Sequence, residues 1–182
     1  AAALPADYAP FFDALAARFP AESQQIRENF APADPATAPD AYLAAALKHL
    51  RQTRGVVAAQ ADAAAMTGVF EAQAAMIAAL RDVDSKLCVD FVYGGATDAF
   101  MAFVATRRPL FAALARASRD AVLDGAAKRH AREAPGDEDF AMLESSLRAK
   151  GMGDAEIAAL LDGKTPDPPL PDERMCEAAQ AY

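Results

Sequence analysis

The sequence is poor in the residues from which most catalytic and metal sites are built. It holds two histidines, two cysteines and no tryptophan among 182 residues. Neither His49 nor His130 has a second ligand at metal-binding spacing, and no CxxC or CxxCH occurs, which excludes the common zinc and haem signatures. HExxH motifs, phosphate-binding glycine loops and nucleophile elbows are also missing. We therefore expect no cofactor and no metal, and a non-enzymatic protein is favoured.

β-Branched residues are scarce as well, which argues against a sheet. The chain has 8 valines and 3 isoleucines but 49 alanines. Alanine has the highest helix propensity, whereas valine and isoleucine favour strands. This composition predicts an all-α fold: a single multi-helix bundle of about eight or nine helices with no significant sheet.

Positively charged residues are fewer than negatively charged ones. There are 18 Lys and Arg against 26 Asp and Glu, so the net charge is −8. An acidic domain repels phosphate backbones. We therefore expect no nucleic-acid partner, while a protein partner is compatible with this composition.

Long uncharged hydrophobic runs are lacking too. The least charged stretch, residues 55–80, still contains Asp62 and Glu71. We expect it to form a buried helix pair and not a transmembrane segment. Residues 1–10 lack the basic start and apolar run of a signal peptide, but the chain does not begin with methionine, so the compartment stays open.

Apolar residues recur at helical spacing along most of the chain. The strongest stripe predicts one long helix running on to Gly94–Gly95. It consists of Met66, Val69, Phe70, Gln73, Met76, Ile77, Leu80, Val83 and Leu87, of which Gln73 alone is polar. Asp40 and Thr97 are expected to cap helices, and Gly55 to break or bend one. A later helix, from about residue 137 to 150, is expected to turn Phe140, Leu143 and Leu147 inward.

The expected domain organisation is one helical domain over residues 1–182. Residues 135–182 are predicted to form shorter helices that close the bundle, with a proline-rich connector at 164–171. Residues 31–39, which contain three prolines, are expected to form a loop.

The two cysteines, Cys88 and Cys176, leave two interpretations open. They form a disulfide if the chain meets an oxidising compartment, and they remain buried free thiols if it does not. A disulfide would favour an exported or periplasmic protein over a cytoplasmic one.

Charged residues form the most regular pattern in the chain. Arg116, Asp120, Asp124, Lys128 and Arg132 are four residues apart and so share one helix face. The surrounding segment, residues 105–133, carries a local excess of positive charge in an acidic chain. It is a candidate patch for an anion or an acidic partner, formed by Arg108, Arg116, Arg119, Lys128 and Arg132. The alternative is a solvated surface of ion pairs that balances the acidic remainder.

These observations define no specific function. The favoured hypothesis is a non-enzymatic helical interaction domain, the soluble part of an exported or larger bacterial protein. One alternative is a helical bundle that binds a small ligand among its Phe and Met side chains. The other is a metal-dependent enzyme that acts on an anionic substrate through Asp120 and Asp124. The partner and the oligomeric state stay open.

Overall fold

The computed structural model describes residues 4–30, 38–94 and 97–182, and of Phe30 the backbone alone. The described residues form ten α-helices and no strand, and 76% of them are helical. The helices are α1 (Ala9–Arg18), α2 (Pro20–Phe30), α3 (Pro39–Ala58), α4 (Ala63–Arg81), α5 (Ser85–Val92), α6 (Asp98–Thr106), α7 (Arg108–Lys128), α8 (Asp137–Ala149), α9 (Asp154–Leu161) and α10 (Asp172–Ala181). The predicted all-α class is confirmed. Most of the proline-rich loop at 31–39, and Gly95, lie outside the described residues.

The number of described helices, ten, exceeds the eight or nine expected. The additional helix arises because α4 ends at Arg81 and α5 begins at Ser85. Asp84 caps α5, since its carboxylate accepts a hydrogen bond from the backbone N–H of Lys86 at 2.9 Å. The prediction of one continuous helix through Leu87 was wrong, because apolar periodicity persists across a break of only three residues.

The chain divides into two compact units. Unit 1 comprises the described residues of Ala1–Met76 and Met101–Ala131, and unit 2 comprises those of Ile77–Phe100 and Arg132–Tyr182. Helices α4 and α6 each contribute residues to both units. The expectation of a single domain over 1–182, with closing helices at 135–182, stays a prediction.

Helices α3 and α7 form the centre of unit 1. Their buried side chains include Leu43, Leu47, Phe111 and Leu114. The two backbones approach so closely at Gly125 that a Cβ there would overlap the carbonyl group of Val57 on α3. Glycine is therefore required at this crossing for a steric reason, although its φ is ordinary for a helix.

Helices α1 and α2 pack against this pair. Tyr8 just before α1, Phe11 and Leu15 on α1, and Ile26 on α2 are all buried. Tyr8 meets the ring of Phe111 on α7 edge-on at 6.4 Å between centroids. The N-terminal helices therefore complete the core of unit 1.

Unit 2 is held together by a disulfide and a small apolar cluster. Cys88 on α5 and Cys176 on α10 are bonded, and both side chains are fully buried. A separate cluster consists of Leu147, Met152, Ile157 and Ala178, from α8 through α10. Of the two interpretations of the cysteines, the structure thus contains the disulfide.

Three local expectations need correction. Helix α3 begins at Pro39, so Asp40 lies in its first turn and is not the capping residue. Its carboxylate makes a different contact. The same helix continues through Gly55 to Ala58. Helix α7 ends at Lys128, where Arg129 adopts the left-handed conformation with φ of 51°, so Arg132 does not share the helix face on which it was predicted. Thr97 behaves as predicted, since its hydroxyl accepts a hydrogen bond from the N–H of Phe100 at 3.2 Å.

Candidate functional site

The predicted cationic patch is stretched out along α7. The helix has 21 residues, so Arg108 and Lys128 lie roughly 30 Å apart along its axis. Arg132 lies beyond the helix and belongs to unit 2. Arg108, Arg116, Arg119 and Lys128 therefore do not converge on one point, and the structure gives each of these four an intramolecular partner.

Arg108 binds Asp40 in a two-pronged contact. Its Nε and Nη2 donate to the two carboxylate oxygens at 2.9 and 3.0 Å, and the buried Tyr8 hydroxyl donates to the same carboxylate at 2.5 Å. Burial raises the pKa of Asp40, but hydrogen bonds from Arg108 and Tyr8 outweigh it and hold that pKa below its usual value. Burial and the Asp40 hydrogen bond raise the pKa of Tyr8 far above its ordinary range. This network joins the start of α1 to α3 and α7.

Arg116 and Arg119 reach the backbone at the start of α1. Arg116 donates to the carbonyl of Asp7 at 3.5 Å, and Arg119 donates to the carbonyl of Pro10 at 2.6 Å. Arg119 also pairs with its neighbour Asp120 at 2.6 Å. Both arginines therefore hold the N-terminal helix against α7.

Lys128 lies between two carboxylates. Its Nζ is 2.5 Å from Asp62 and 2.7 Å from Asp124, and Asp124 also accepts a hydrogen bond from the backbone N–H of Asp62 at 2.7 Å. The hydrogen bond from Lys128 is the main reason that the pKa values of both carboxyls are lowered. Asp124 and Lys128 are four residues apart, so they pair along the helix face that they share.

Through these contacts the four cations stabilise the fold of the chain. Arg108, Arg116 and Lys128 have partners that are 68, 109 and 66 residues away in sequence. No local sequence pattern identifies partners that are so distant along the chain. The sequence therefore predicts an accessible patch, whereas in the structure these cations form contacts within unit 1. The assignment of the patch to an anion or acidic partner stays a prediction.

The predicted acidic pair on α7 is divided between different cations. Asp120 pairs with Arg119, and Asp124 with Lys128. Within residues 4–30, 38–94 and 97–182, no group of three or more His, Cys, Asp or Glu side chains is arranged to hold a metal ion. The metal-dependent enzyme and the small-ligand bundle stay predictions.

Helix α4 presents an unusual surface. It was expected to be buried, yet none of its residues from 63 to 75 is buried, and Phe70 is 61% exposed. Only Met76, Ile77 and Leu80, near its end, are enclosed. The expectation of a buried helix over this stretch was therefore wrong: apolar residues that share a face need a covering element, and the first three turns of α4 lack close packing.

The same helix bears on the question of a membrane. By length and composition, α4 is the one helix in the described part of the chain that could cross a bilayer, and 17% of its most apolar window is buried. A single helix of this kind is weak evidence for a span. The finding is consistent with the expectation that the chain has no transmembrane segment.

A second apolar surface lies between α8 and α9. Of the three α8 side chains expected to face inward, Leu147 is buried and Leu143 is half-buried, but Phe140 is 49% exposed. Phe140 lines an open groove of about 600 Å³ that is bounded by the two helices. Sequence periodicity placed Phe140 on the correct side of α8 but could not foresee that this side is only partly covered.

No family model, curated protein or solved structure matches this chain. The fold and its surfaces define a class of protein and nothing narrower: an all-α chain of two helical units, one of them closed by a disulfide.

Proposed function

We propose that this chain is a non-enzymatic helical interaction domain that works in an oxidising compartment, as an exported protein or as the soluble part of a larger one. The exposed apolar surface of α4 is the observation that carries the proposal. The absence of catalytic motifs from the sequence supports its non-enzymatic part.

The surface of α4 is too apolar to be explained as ordinary solvated helix. It combines exposed Phe70 with half-buried Met66 and Val69, and the one charged residue between Ala63 and Leu80 is Glu71. Isolated apolar residues are common on protein surfaces, but a continuous apolar face marks a contact surface. A protein partner that covers this face would remove it from water.

The disulfide supports the proposed compartment. Disulfides persist in secreted and periplasmic proteins, whereas the cytosol keeps thiols reduced. The Cys88–Cys176 bond connects two helices inside unit 2 and is shielded from solvent, as expected for a structural cross-link.

Site-specific photo-crosslinking in the cells of origin tests the proposal. A benzophenone amino acid replaces Phe70, which is 61% exposed, and in a matched control it replaces Tyr93, an aromatic residue that is 64% exposed at the end of α5. We expect a discrete adduct with a second polypeptide from position 70 and none from position 93. An absence of any adduct at position 70, or the same smear of adducts at both positions, would contradict the proposal.

A further inference from the structure

The groove between α8 and α9 has an apolar floor. This floor consists of Phe140 and Ala141 of α8 and of Ile157, Ala158 and Leu161 of α9. Ile157 is buried in the apolar cluster of unit 2 while Phe140 and Ala141 are exposed, so the floor is anchored in the unit and is accessible to solvent. The groove therefore offers apolar surface that is already formed.

The rim of this groove is acidic. Four carboxylates line it, those of Asp137, Glu144, Asp154 and Asp162. Arg148, also part of the lining, is held between Glu144 and Asp154 at 2.7 Å from each, and the Nζ of Lys164 lies 2.8 Å from the carboxylate of Asp162. Four carboxylates against two cations leave the rim with an excess of negative charge.

We propose that this groove binds a cationic amphipathic helix of a partner protein, an inference that rests on the proposed function and names the chemistry of the partner. Apolar side chains at helical spacing on one face of the segment fill the floor between α8 and α9. Lysine or arginine side chains that flank this face meet the carboxylates of the rim.

The charge of the groove selects this occupant over two others. A second copy of the chain carries a net charge of −8, and its approach to an acidic rim is unfavourable. An anionic lipid surface is repelled for the same reason. A cationic protein segment is attracted by the rim and loses apolar surface to the floor, so both features of the groove favour it.

Binding of a designed peptide to the intact chain tests the inference. The probe is a fluorescent helix of about 18 residues with leucines on one face and lysines elsewhere, and its control carries glutamate in place of each lysine. Anisotropy titrations are made with the wild-type protein and with Ala141→Arg, which fills the groove. Ser146→Arg is the matched variant, because it places the same side chain at an exposed position of α8 outside the groove.

We expect the lysine peptide to bind wild type and S146R within about twofold of each other, and A141R roughly tenfold more weakly. The glutamate peptide should bind wild type at least about tenfold more weakly than the lysine peptide. Equal affinity of A141R and S146R, or equal affinity for the two peptides, would overturn the inference. So would binding to phosphatidylglycerol vesicles, or self-association in sedimentation, that A141R abolishes and S146R does not.

The proposed function and the inference about the groove are tested by separate experiments, so either can fail while the other holds. The peptide titration does not involve α4, and the crosslink from position 70 does not involve α8 or α9. An adduct from position 70 together with a failed titration would leave the interaction domain in place and remove the groove from it.

Discussion

Cys88 and Cys176 lie 88 residues apart in sequence, and their Cα atoms are 5.7 Å apart in the structure. The bond between them joins α5 to α10, so the last described helix is fastened to the middle of the chain. This cross-link closes a large loop, which restricts the unfolded chain far more than the folded one.

Removing the disulfide should therefore destabilise unit 2. The double variant Cys88→Ser/Cys176→Ser is expected to lose about 4 kcal/mol of unfolding free energy, on the chain-entropy account of a loop this long. Urea denaturation of the oxidised wild type and the variant, followed by far-UV circular dichroism, measures the difference. Mass spectrometry of the unreduced protein should find it two hydrogen atoms lighter than the dithiol. If both cysteines are alkylated in the denatured, unreduced chain, the bond does not form and this prediction fails.

The crossing of α3 and α7 should tolerate no side chain at Gly125. Gly125→Ala places a methyl group on the backbone of Val57, and we expect a loss of roughly 3 kcal/mol or more, at the upper end of overpacking effects. Gly55→Ala is the matched control, since Gly55 lies inside α3 with open space around its Cβ position. It should be neutral or stabilising by up to about 1 kcal/mol, because alanine is the better helix former. Thermal melts that give the two variants the same stability would contradict the close approach.

The Asp40 network should make unit 1 sensitive to acid. Because the folded pKa of Asp40 lies below its unfolded value of about 3.9, the carboxylate stabilises the fold above that pH. This contribution should be lost as the pH falls from about 4 through the folded pKa. Asp40→Asn removes the titrating group. The wild type should therefore be more stable than D40N, by an amount that is constant near neutral pH and decreases in acid. Denaturant midpoints measured across this range provide the test, and a constant difference down to the lowest pH would refute it.

The hydroxyl of Tyr8 provides an independent check of the same network. Tyr8→Phe keeps the buried ring and removes one donor from Asp40, so we expect a loss of roughly 1 to 2 kcal/mol at neutral pH. Tyr42→Phe is a suitable control, because Tyr42 is also a buried aromatic residue of unit 1. An effect of Y8F no larger than that of Y42F would argue against the contact with Asp40.

Lys128 should control the titration of its two carboxylate partners. In Lys128→Met, the pKa values of Asp62 and Asp124 are expected to rise towards those of an ordinary aspartate, because the hydrogen bond that lowers them most is gone. Carboxyl carbon chemical shifts followed by NMR during a pH titration measure both groups. Lys48→Met removes the same charge from an exposed position of α3 and should leave both values unchanged. Unaltered titration in K128M would show that the bridge is not formed.

The local sequence was sufficient to predict most of the helices. Helix propensity and apolar spacing act within a few turns, so the all-α class and the cap at Thr97 follow from neighbouring residues alone. The break before α5 had a local signal in Asp84, a good capping residue, but the apolar stripe that runs across it was the stronger pattern.

The amino-acid sequence by itself determined which segments form helices, because helix formation depends on interactions between residues three and four positions apart. It did not determine what covers each helix. Phe70 and Phe140 both lie on apolar faces, yet they are exposed because no element of the described chain closes over them. The pairing of Cys88 with Cys176 and the ties from Arg108 to Asp40 likewise depend on the path of the chain between distant segments, and only the tertiary structure decided that path.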